Sequence, residues 1–190
     1  MSVSAIVLAG GRSSRFGRDK LAEPIDGVPM LWRTIEAVRA VVDEVVVVTA
    51  RDSTMTLPSA VQEVHDDGGG PLVGALAGLL EASGDTALVV GGDMPWLHHD
   101  VLIALIECVG PGVTAVALES DGRRQQLPIA VTRDPTLAVA RRLVDAGERR
   151  FGALLEALDT VTLAEGQWRT LDPAADTLRD VDVPGDLPLP

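Results

Sequence analysis

The sequence predicts an α/β fold of three layers, in which helices cover both faces of a mostly parallel central sheet. Apolar runs of strand length alternate with helical patterns along most of the 190 residues. Two of these runs, residues 45–48 and 87–90, are apolar at every position, which is typical of strands that are covered on both faces. Regular alternation of strands and helices favours parallel strands that are joined by helical crossovers.

The individual elements follow from the same patterns. We expect strands at 3–9, 44–49, 60–64, 86–91, 113–118, 127–132 and 159–163. We expect helices at 29–40, 71–83, 99–109, 134–145 and 149–158. Asp26-Gly27 predicts a tight turn in a short hairpin-like connection, which leads into the first helix near Pro29. The tail from Pro184 has three prolines in seven residues, and we expect it to be irregular.

Composition limits the class of protein. A chain of 190 residues with 46% hydrophobic content predicts a single domain over residues 1–190, and a monomer is the simplest expectation. The formal net charge of -12 argues against nucleic acid or an anionic membrane as partner. The single cysteine, Cys108, excludes an internal disulfide, and we expect it to fill the core. The sequence has neither a membrane-spanning run nor a signal-peptide pattern, which predicts a cytoplasmic protein.

The strongest chemical signal follows the first strand, in residues 8–20, LAGGRSSRFGRDK. Gly10 and Gly11 have no side chains, so the backbone can approach a ligand and present N–H groups to phosphate oxygens. Four basic residues follow within nine positions: Arg12, Arg15, Arg18 and Lys20. Lys20 is the only lysine beside fifteen arginines, which suggests a position that needs a compact charge. The stretch predicts an anion-binding loop, with a solvated surface loop as the alternative.

Two acidic segments follow later strands. Asp66 and Asp67 precede three glycines and a proline that open a helix, and Asp93 follows a Gly-Gly turn. In open α/β sheets, ligands bind at the carboxyl ends of the strands, where the loops with Gly10, Asp66 and Asp93 all lie. Asp93 suits Mg²⁺, because this ion prefers one or two carboxylates together with phosphate oxygens and water. Plain polar turns are the alternative at both places.

Together these segments resemble a known family. The loop does not fit the P-loop or the dinucleotide pattern, but nine positions fit a third pattern, LAGGxSxRxGxDK. These are Leu8, Ala9, Gly10, Gly11, Ser13, Arg15, Gly17, Asp19 and Lys20. The pattern resembles the signature of nucleotidyltransferases, and the whole chain is similar to the molybdenum cofactor guanylyltransferase (MobA) family. GPLxGxxxGL after Asp66, and Asp-x-Pro followed by an aromatic residue at Asp93, extend the resemblance.

The resemblance implies a Rossmann-like nucleotidyltransferase fold and a reaction. It implies transfer of GMP from GTP to the phosphate of molybdopterin, with release of pyrophosphate and with Mg²⁺ as cofactor. The implied nucleotide-binding residues are Leu8, Ala9, Gly10, Gly11, Lys20, Asp66 and Asp93, with Asp67 as a substitute for Asp66. Arg15, Lys20 and Asp93 are the implied catalytic residues, and Asp93 is the implied metal ligand. Proteins that donate the cofactor, or chaperones of molybdoenzymes, are further expected partners.

The acceptor side departs from the family pattern. Both asparagines of the family's Asn-Val-Asn segment are replaced here, by Asp180 and Asp182. Asp182 could complete a Mg²⁺ site with Asp93, or both replacements could face solvent. Arg149 and Arg150 keep the family's Gly-Glu-Arg-Arg, either at an acceptor phosphate or as a surface pair.

Three other functions stay open at this point. The first is a cytidylyltransferase for the same cofactor, whose loop typically has Ala at the position of Gly10. Because Gly10 lacks that methyl group, it leaves room for a purine, which favours GTP. The second is a sugar-phosphate nucleotidyltransferase. The third is a nucleotide-binding regulator without catalytic activity.

Overall fold

The structure is a computed structural model and describes residues 2–10, 19–66, 68–181 and 183–186. Several residues singled out by the sequence lie outside the described residues: Gly11, Arg12, Ser13, Arg15, Gly17, Arg18, Asp67 and Asp182. Among the helices that are described, none is both long enough and apolar enough to cross a membrane.

The described part of the chain contains nine strands and six α-helices. The strands are β1 (Val3–Leu8), β2 (Pro24–Ile25), β3 (Val28–Pro29), β4 (Glu44–Ala50), β5 (Gln62–Asp66), β6 (Thr86–Gly91), β7 (Ala115–Ser120), β8 (Arg123–Thr132) and β9 (Thr160–Leu163). The helices are α1 (Met30–Arg39), α2 (Pro71–Glu81), α3 (His99–Glu107), α4 (Arg133–Asp145), α5 (Phe151–Ala157) and α6 (Glu165–Trp168).

Seven strands form one sheet in the order β5-β4-β1-β6-β8-β7-β9. Only β8 runs antiparallel to its neighbours, β6 and β7, whereas the pairs β5-β4, β4-β1, β1-β6 and β7-β9 are parallel. The prediction of a mostly parallel sheet is therefore confirmed. The predicted hairpin is present as β2 and β3, and its turn residues Asp26 and Gly27 have φ angles of 48° and 79°.

The central strands are apolar throughout because each face of the sheet has its own helical layer. In β1, Ala5 and Val7 belong to the core beneath α1 and α3, whereas Ile6 belongs to the core beneath α2, α4 and α5. All three residues are fully buried. Two separate cores on one sheet confirm the three-layer arrangement, and they explain why strict alternation is missing from the sequence.

The predicted helices are present with ends that differ by at most two residues, and three predicted features are wrong in detail. The strand expected at 60–64 lies at 62–66, because Ala60 has a φ of 67° and the strand starts only after this turn. The strand expected at 127–132 begins at Arg123, so β7 and β8 form a hairpin around Asp121-Gly122. Cys108 is exposed, because α3 ends at Glu107 and Val109 takes the buried position instead.

The tail from Pro184 was expected to be irregular, and its described residues, 184–186, form a 3-10 turn. Two 3-10 turns, Asp176–Leu178 and Pro184–Asp186, follow α6. Asp172 is buried, and its carboxylate accepts hydrogen bonds from the backbone N–H groups of Thr177 (2.8 Å) and Asp176 (3.2 Å). These two bonds fix the path of the chain after the last described helix.

Candidate functional site at the carboxyl end of the sheet

Three parallel strands end side by side at one edge of the sheet. Leu8 at the end of β1 pairs with Val48 of β4 and with Gly91 of β6. The pairing continues one residue further on each side, because the N–H of Ala9 donates to Val48 (2.8 Å) and the N–H of Gly92 donates to Leu8 (2.9 Å). The segments that the sequence marks as chemically important therefore begin at a common edge.

Asp66 is the last residue of β5, and its carboxylate lies between two glycines. The residue is only 9% exposed, and its Oδ1 accepts a hydrogen bond from the N–H of Gly68 (3.0 Å). A Cβ placed on Gly10 would lie 3.2 Å from Asp66 Oδ2, and one placed on Gly74 would lie 3.1 Å from the same oxygen. The loop after β1 and the first turns of α2 thus enclose this carboxylate at two positions without side chains.

The glycines before α2 are required by the backbone. Gly68, Gly69 and Gly70 have φ angles of 75°, 126° and 110°, which residues with a side chain rarely adopt. Pro71 occupies the first turn of the helix, where its missing N–H costs nothing. The carbonyl of Arg149 accepts a hydrogen bond from Leu72 (3.2 Å) and would lie 2.9 Å from a Cβ on Gly70. This loop therefore presents the amino end of α2 at the same edge as Asp66.

Lys20 and Asp93 form an ion pair across 73 residues of sequence. The Nζ of Lys20 donates to Asp93 Oδ2 at 2.7 Å and to the carbonyl of Val181 at 2.9 Å. The two side chains are 18% and 26% exposed. Asp19 holds the backbone of Lys20 in place, because its carboxylate accepts a hydrogen bond from Leu21, which is buried. The cation and the carboxylate therefore neutralise each other at the edge of the sheet.

Asp93 lies on a turn that the core supports. The carbonyl of Gly92 accepts a hydrogen bond from the buried hydroxyl of Thr34 in α1 (3.1 Å), and Met94 is buried. A Cβ on Gly91 would lie 2.5 Å from Asp93 Oδ1, so a side chain there would displace the carboxylate. A partly exposed carboxylate with a fixed backbone is a suitable ligand for a hard divalent cation. Within the described ranges, no group of three or more His, Cys, Asp or Glu residues could hold a metal ion.

The two arginines of the Gly-Glu-Arg-Arg segment bind their own loop. Arg150 donates to both carboxylate oxygens of Glu148 (2.7 and 3.3 Å), which lowers the pKa of Glu148 to about 2. Arg149 donates to the carbonyls of Val144 (3.0 Å) and Glu148 (2.7 Å). The Arg150 side chain is 72% exposed. This geometry favours the surface alternative for the pair over a role at an acceptor phosphate.

The structure brings some of the expected residues together and adds others. Gly10 lies next to Asp66, and Lys20 lies next to Asp93. Asp180 is exposed, and its suggested partner Asp182 lies outside the described residues. The carbonyl of Val181 is a contact that the sequence could not predict, because a backbone group has no residue identity. Gly74 of α2 is a further addition, because it borders the Asp66 carboxylate.

Comparison with known proteins connects the chain to an enzyme family. A family model described as "MobA-like NTP transferase domain" matches residues 5–162. A protein from Chloroflexus aggregans named "Probable molybdenum cofactor guanylyltransferase" is 34% identical over 195 aligned residues, which cover 100% of this chain and 93% of that protein. "Molybdenum cofactor guanylyltransferase" from Shewanella sp. (strain MR-4) is 31% identical, covering 80% of this chain and 79% of the relative.

A solved structure shows the same fold. Molybdopterin-guanine dinucleotide biosynthesis protein A from Archaeoglobus fulgidus superposes with a TM-score of 0.81 at 21% identity. The superposition covers 96% of this chain and 94% of that chain. The predicted fold is therefore confirmed over nearly the full length of both molecules.

Proposed function

Because the chain belongs to the family of MobA-like NTP transferases, we propose that it transfers GMP from GTP to the phosphate of molybdopterin and releases pyrophosphate. The reaction is a step in molybdenum cofactor biosynthesis, and residues 1–190 act in it as one domain. The observation that carries the proposal is the contact of 2.7 Å between Lys20 and Asp93, at the edge where the strands end. This contact places the signature lysine beside a carboxylate that suits a divalent cation.

In this reaction, a terminal phosphate oxygen of the acceptor attacks the α-phosphorus of GTP. The bond from that phosphorus to the β-phosphate oxygen breaks, and pyrophosphate leaves with the bonding electrons. Lys20, with Arg15 from the signature, would bind the triphosphate and neutralise the charge that grows on pyrophosphate. Such a cation lowers the barrier because it binds the transition state more strongly than the ground state.

Asp66 is the proposed ligand of the guanosine. Its carboxylate can only accept hydrogen bonds, and Oδ1 already accepts one from Gly68. Oδ2 faces Gly10, which leaves an acceptor beside the loop that would border the base. Leu8, Ala9, Gly10 and Gly11 would contact the nucleotide through their backbone, and Asp67 remains the alternative ligand.

Asp93 is the proposed ligand of Mg²⁺. The family transfers nucleotidyl groups, a chemistry that uses a divalent metal, and the donor set at Asp93 fits this ion, because one carboxylate suffices where phosphate oxygens and water complete the shell. When bound, Mg²⁺ would neutralise phosphate charge. Asp93 would hold the ion near the fixed turn after β6. Lys20 would then leave the Asp93 carboxylate and bind phosphate oxygens of the nucleotide instead. The cytoplasm and a monomeric state remain predictions.

A cytidylyltransferase for the same cofactor is the nearest rival, and Gly10 speaks against it. Ala, the residue typical of the rival loop at this position, would place its methyl group 3.2 Å from Asp66 Oδ2. The structure therefore links the Gly at this position to the carboxylate that we assign to guanosine. A sugar-phosphate nucleotidyltransferase and a regulator without activity find no separate support in the described residues.

Pyrophosphate release from GTP, CTP and ATP, with and without molybdopterin, tests the proposal. We expect release that needs GTP, molybdopterin and Mg²⁺ together, with Asp93→Asn as the inactive control. Greater release from CTP than from GTP would identify a cytidylyltransferase. Tight GTP binding without release under any condition would identify a regulator and refute the proposed reaction.

A further inference from the structure

After the last described α-helix, the chain returns to residues 93–98, which we name the Asp93 turn. Residues 177–181, which we name the C-terminal strap, run beside this turn in the opposite direction. Thr177 pairs with His98, Arg179 pairs with Trp96, and Val181 pairs with Asp93. Successive contacts in reversed order mean that the strap and the turn are held along their whole length rather than at one point.

Each contact is specific in its chemistry. The N–H of His98 donates to Thr177 Oγ1 at 3.1 Å, and the guanidinium carbon of Arg179 lies 4.0 Å from the centroid of a Trp96 ring. The N–H of Val181 donates to the carbonyl of Asp93 at 3.1 Å. A hydrogen bond, a cation–π contact and a backbone bond therefore fix three positions of the turn.

The strap also contacts the catalytic cation. The carbonyl of Val181 accepts the hydrogen bond from Lys20 Nζ, while the N–H of the same residue binds the Asp93 backbone. One peptide segment thus bridges the lysine and the aspartate that form the ion pair. Val181 is completely buried in the core beneath α1 and α3, so this bridge cannot shift without disturbing the packing there.

The strap is also held by bonds to residues outside the Asp93 turn. At its start, the Asp172 carboxylate accepts a hydrogen bond from the N–H of Thr177. From its middle, Arg179 donates to the carbonyl of Asp186 (3.3 Å), and beyond its end the Asp186 side chain accepts a hydrogen bond from Val183 (2.9 Å). These bonds give the strap a defined position of its own, which it can impose on the turn.

We propose that the C-terminal strap is a positioning element for nucleotidyl transfer, with Thr177 and Arg179 as positioning residues that act through the Asp93 turn. The inference rests on the proposed transferase function. Neither side chain touches the ion pair, but together they set where Asp93 and Lys20 stand relative to each other. Misplacing a reacting or stabilising group by about 1 Å can reduce a rate on the order of a hundredfold, so small loosening of the strap affects turnover.

The test uses Thr177→Val and Arg179→Gln in the full chain. Thr170→Val and Arg169→Gln are the matched controls. Thr170 donates within its own turn (2.7 Å to Gln167). Arg169 contacts Glu165 (2.9 Å), Pro173 (3.3 Å) and the Trp168 ring (5.4 Å), all of which lie outside residues 177–181 and 93–98. Thermal melts establish that each variant is folded before its kinetics are compared.

Two readouts are expected to change together. Both strap variants should lower kcat by about tenfold, with KM for GTP within about twofold of wild type, and Arg179→Lys should recover most of the loss because a cation remains over Trp96. Hydrogen–deuterium exchange should show faster exchange of the His98 amide in Arg179→Gln, although Arg179 does not bind that amide. The controls should leave kcat and this exchange unchanged.

The exchange readout separates this inference from the proposed function. Unchanged kcat and unchanged exchange at residues 93–98 in folded strap variants would overturn the positioning role. Equal losses of kcat in strap and control variants would overturn it as well. If the wild-type protein released no pyrophosphate at all, the proposed function would fail, and exchange at His98 would still decide whether the strap holds the turn.

Discussion

Gly10→Ala tests directly whether guanosine binds beside Asp66, as we propose. The substitution adds one methyl carbon, which would lie 3.2 Å from Asp66 Oδ2. Gly10 does not have a left-handed φ, so the backbone accepts alanine and the effect is confined to the space around the carboxylate. Asp66 cannot retreat freely, because Gly74 approaches the same oxygen from α2, with only 3.1 Å to a Cβ placed there.

The expected loss follows from the bonds that Asp66 would make to guanosine. A displacement of a few tenths of an ångström bends or breaks a hydrogen bond to a charged group, and such bonds contribute about 1.5–3 kcal/mol. The Kd for GTP should therefore rise by roughly 10- to 150-fold. CTP should lose less, because its smaller ring needs less of the space that the methyl group fills.

Titration calorimetry with GTP and CTP, in the presence of Mg²⁺, measures this difference. Gly74→Ala is a second perturbation of the same oxygen from the other side, and it should also weaken GTP. Gly166→Ala is the matched control, since a Cβ there meets nothing within 4 Å. If Gly10→Ala and Gly74→Ala both bound GTP as wild type does, Asp66 would not be the ligand of the base.

Three further predictions concern charge. Lys20→Ala should lower kcat on the order of a hundredfold and change the calorimetric Kd for GTP far less, because Lys20 acts on charge that develops in the transition state. A kcat near the wild-type value would show that Lys20 has no catalytic role. Asp93→Asn should abolish Mg²⁺-dependent turnover with little change in Tm; an unaltered Mg²⁺ titration would place the metal elsewhere. Burial raises the pKa of Glu44, but hydrogen bonds from Ser4 and Ser83 outweigh it and lower the pKa. The stability that Glu44 contributes to the folded protein is then present above the usual carboxylate pKa and is lost in acid. The difference in Tm between wild type and Glu44→Gln should therefore shrink from pH 7 to pH 3, and a constant difference would contradict this prediction.

The strands could be predicted where they are buried, because burial restricts their residues to apolar types. The strands in the middle of the sheet are covered on both faces, so their apolar runs marked them within one or two residues. The first half of β8 was missed because Arg123 and Arg124 are exposed, beyond the part of the sheet that the helices cover. The edge strand β5 was displaced by two residues because Ala60, with a φ of 67°, forms a turn that its apolar side chain does not reveal. A pattern of hydrophobicity carries no signal for strand residues that nothing covers.

The places of the candidate site residues in the fold were predictable, but their contacts were not. Motifs identified Gly10, Lys20, Asp66 and Asp93, and all four lie at the edge where the parallel strands end. The pairing of Lys20 with Asp93 depends on tertiary structure across 73 residues, and no local pattern encodes it. The contact of Val181 with Lys20 is harder still to predict, because Val181 contributes a backbone carbonyl that any residue could supply.

The glycines of the site have a common physical role that differs from the one suggested by the signature alone. The sequence predicts that Gly10 allows phosphate to approach the backbone. In the structure, Gly10 and Gly74 border Asp66, and Gly91 borders Asp93, at 3.2, 3.1 and 2.5 Å from a Cβ to a carboxylate oxygen. All three glycines therefore make room for acidic side chains that lie against the main chain. Two carboxylates held this close need compensation, which Lys20 supplies to Asp93 and the N–H of Gly68 supplies to Asp66. Glycine at these three positions thus allows each carboxylate to be held against the main chain, at the edge where we propose that the nucleotide and Mg²⁺ bind.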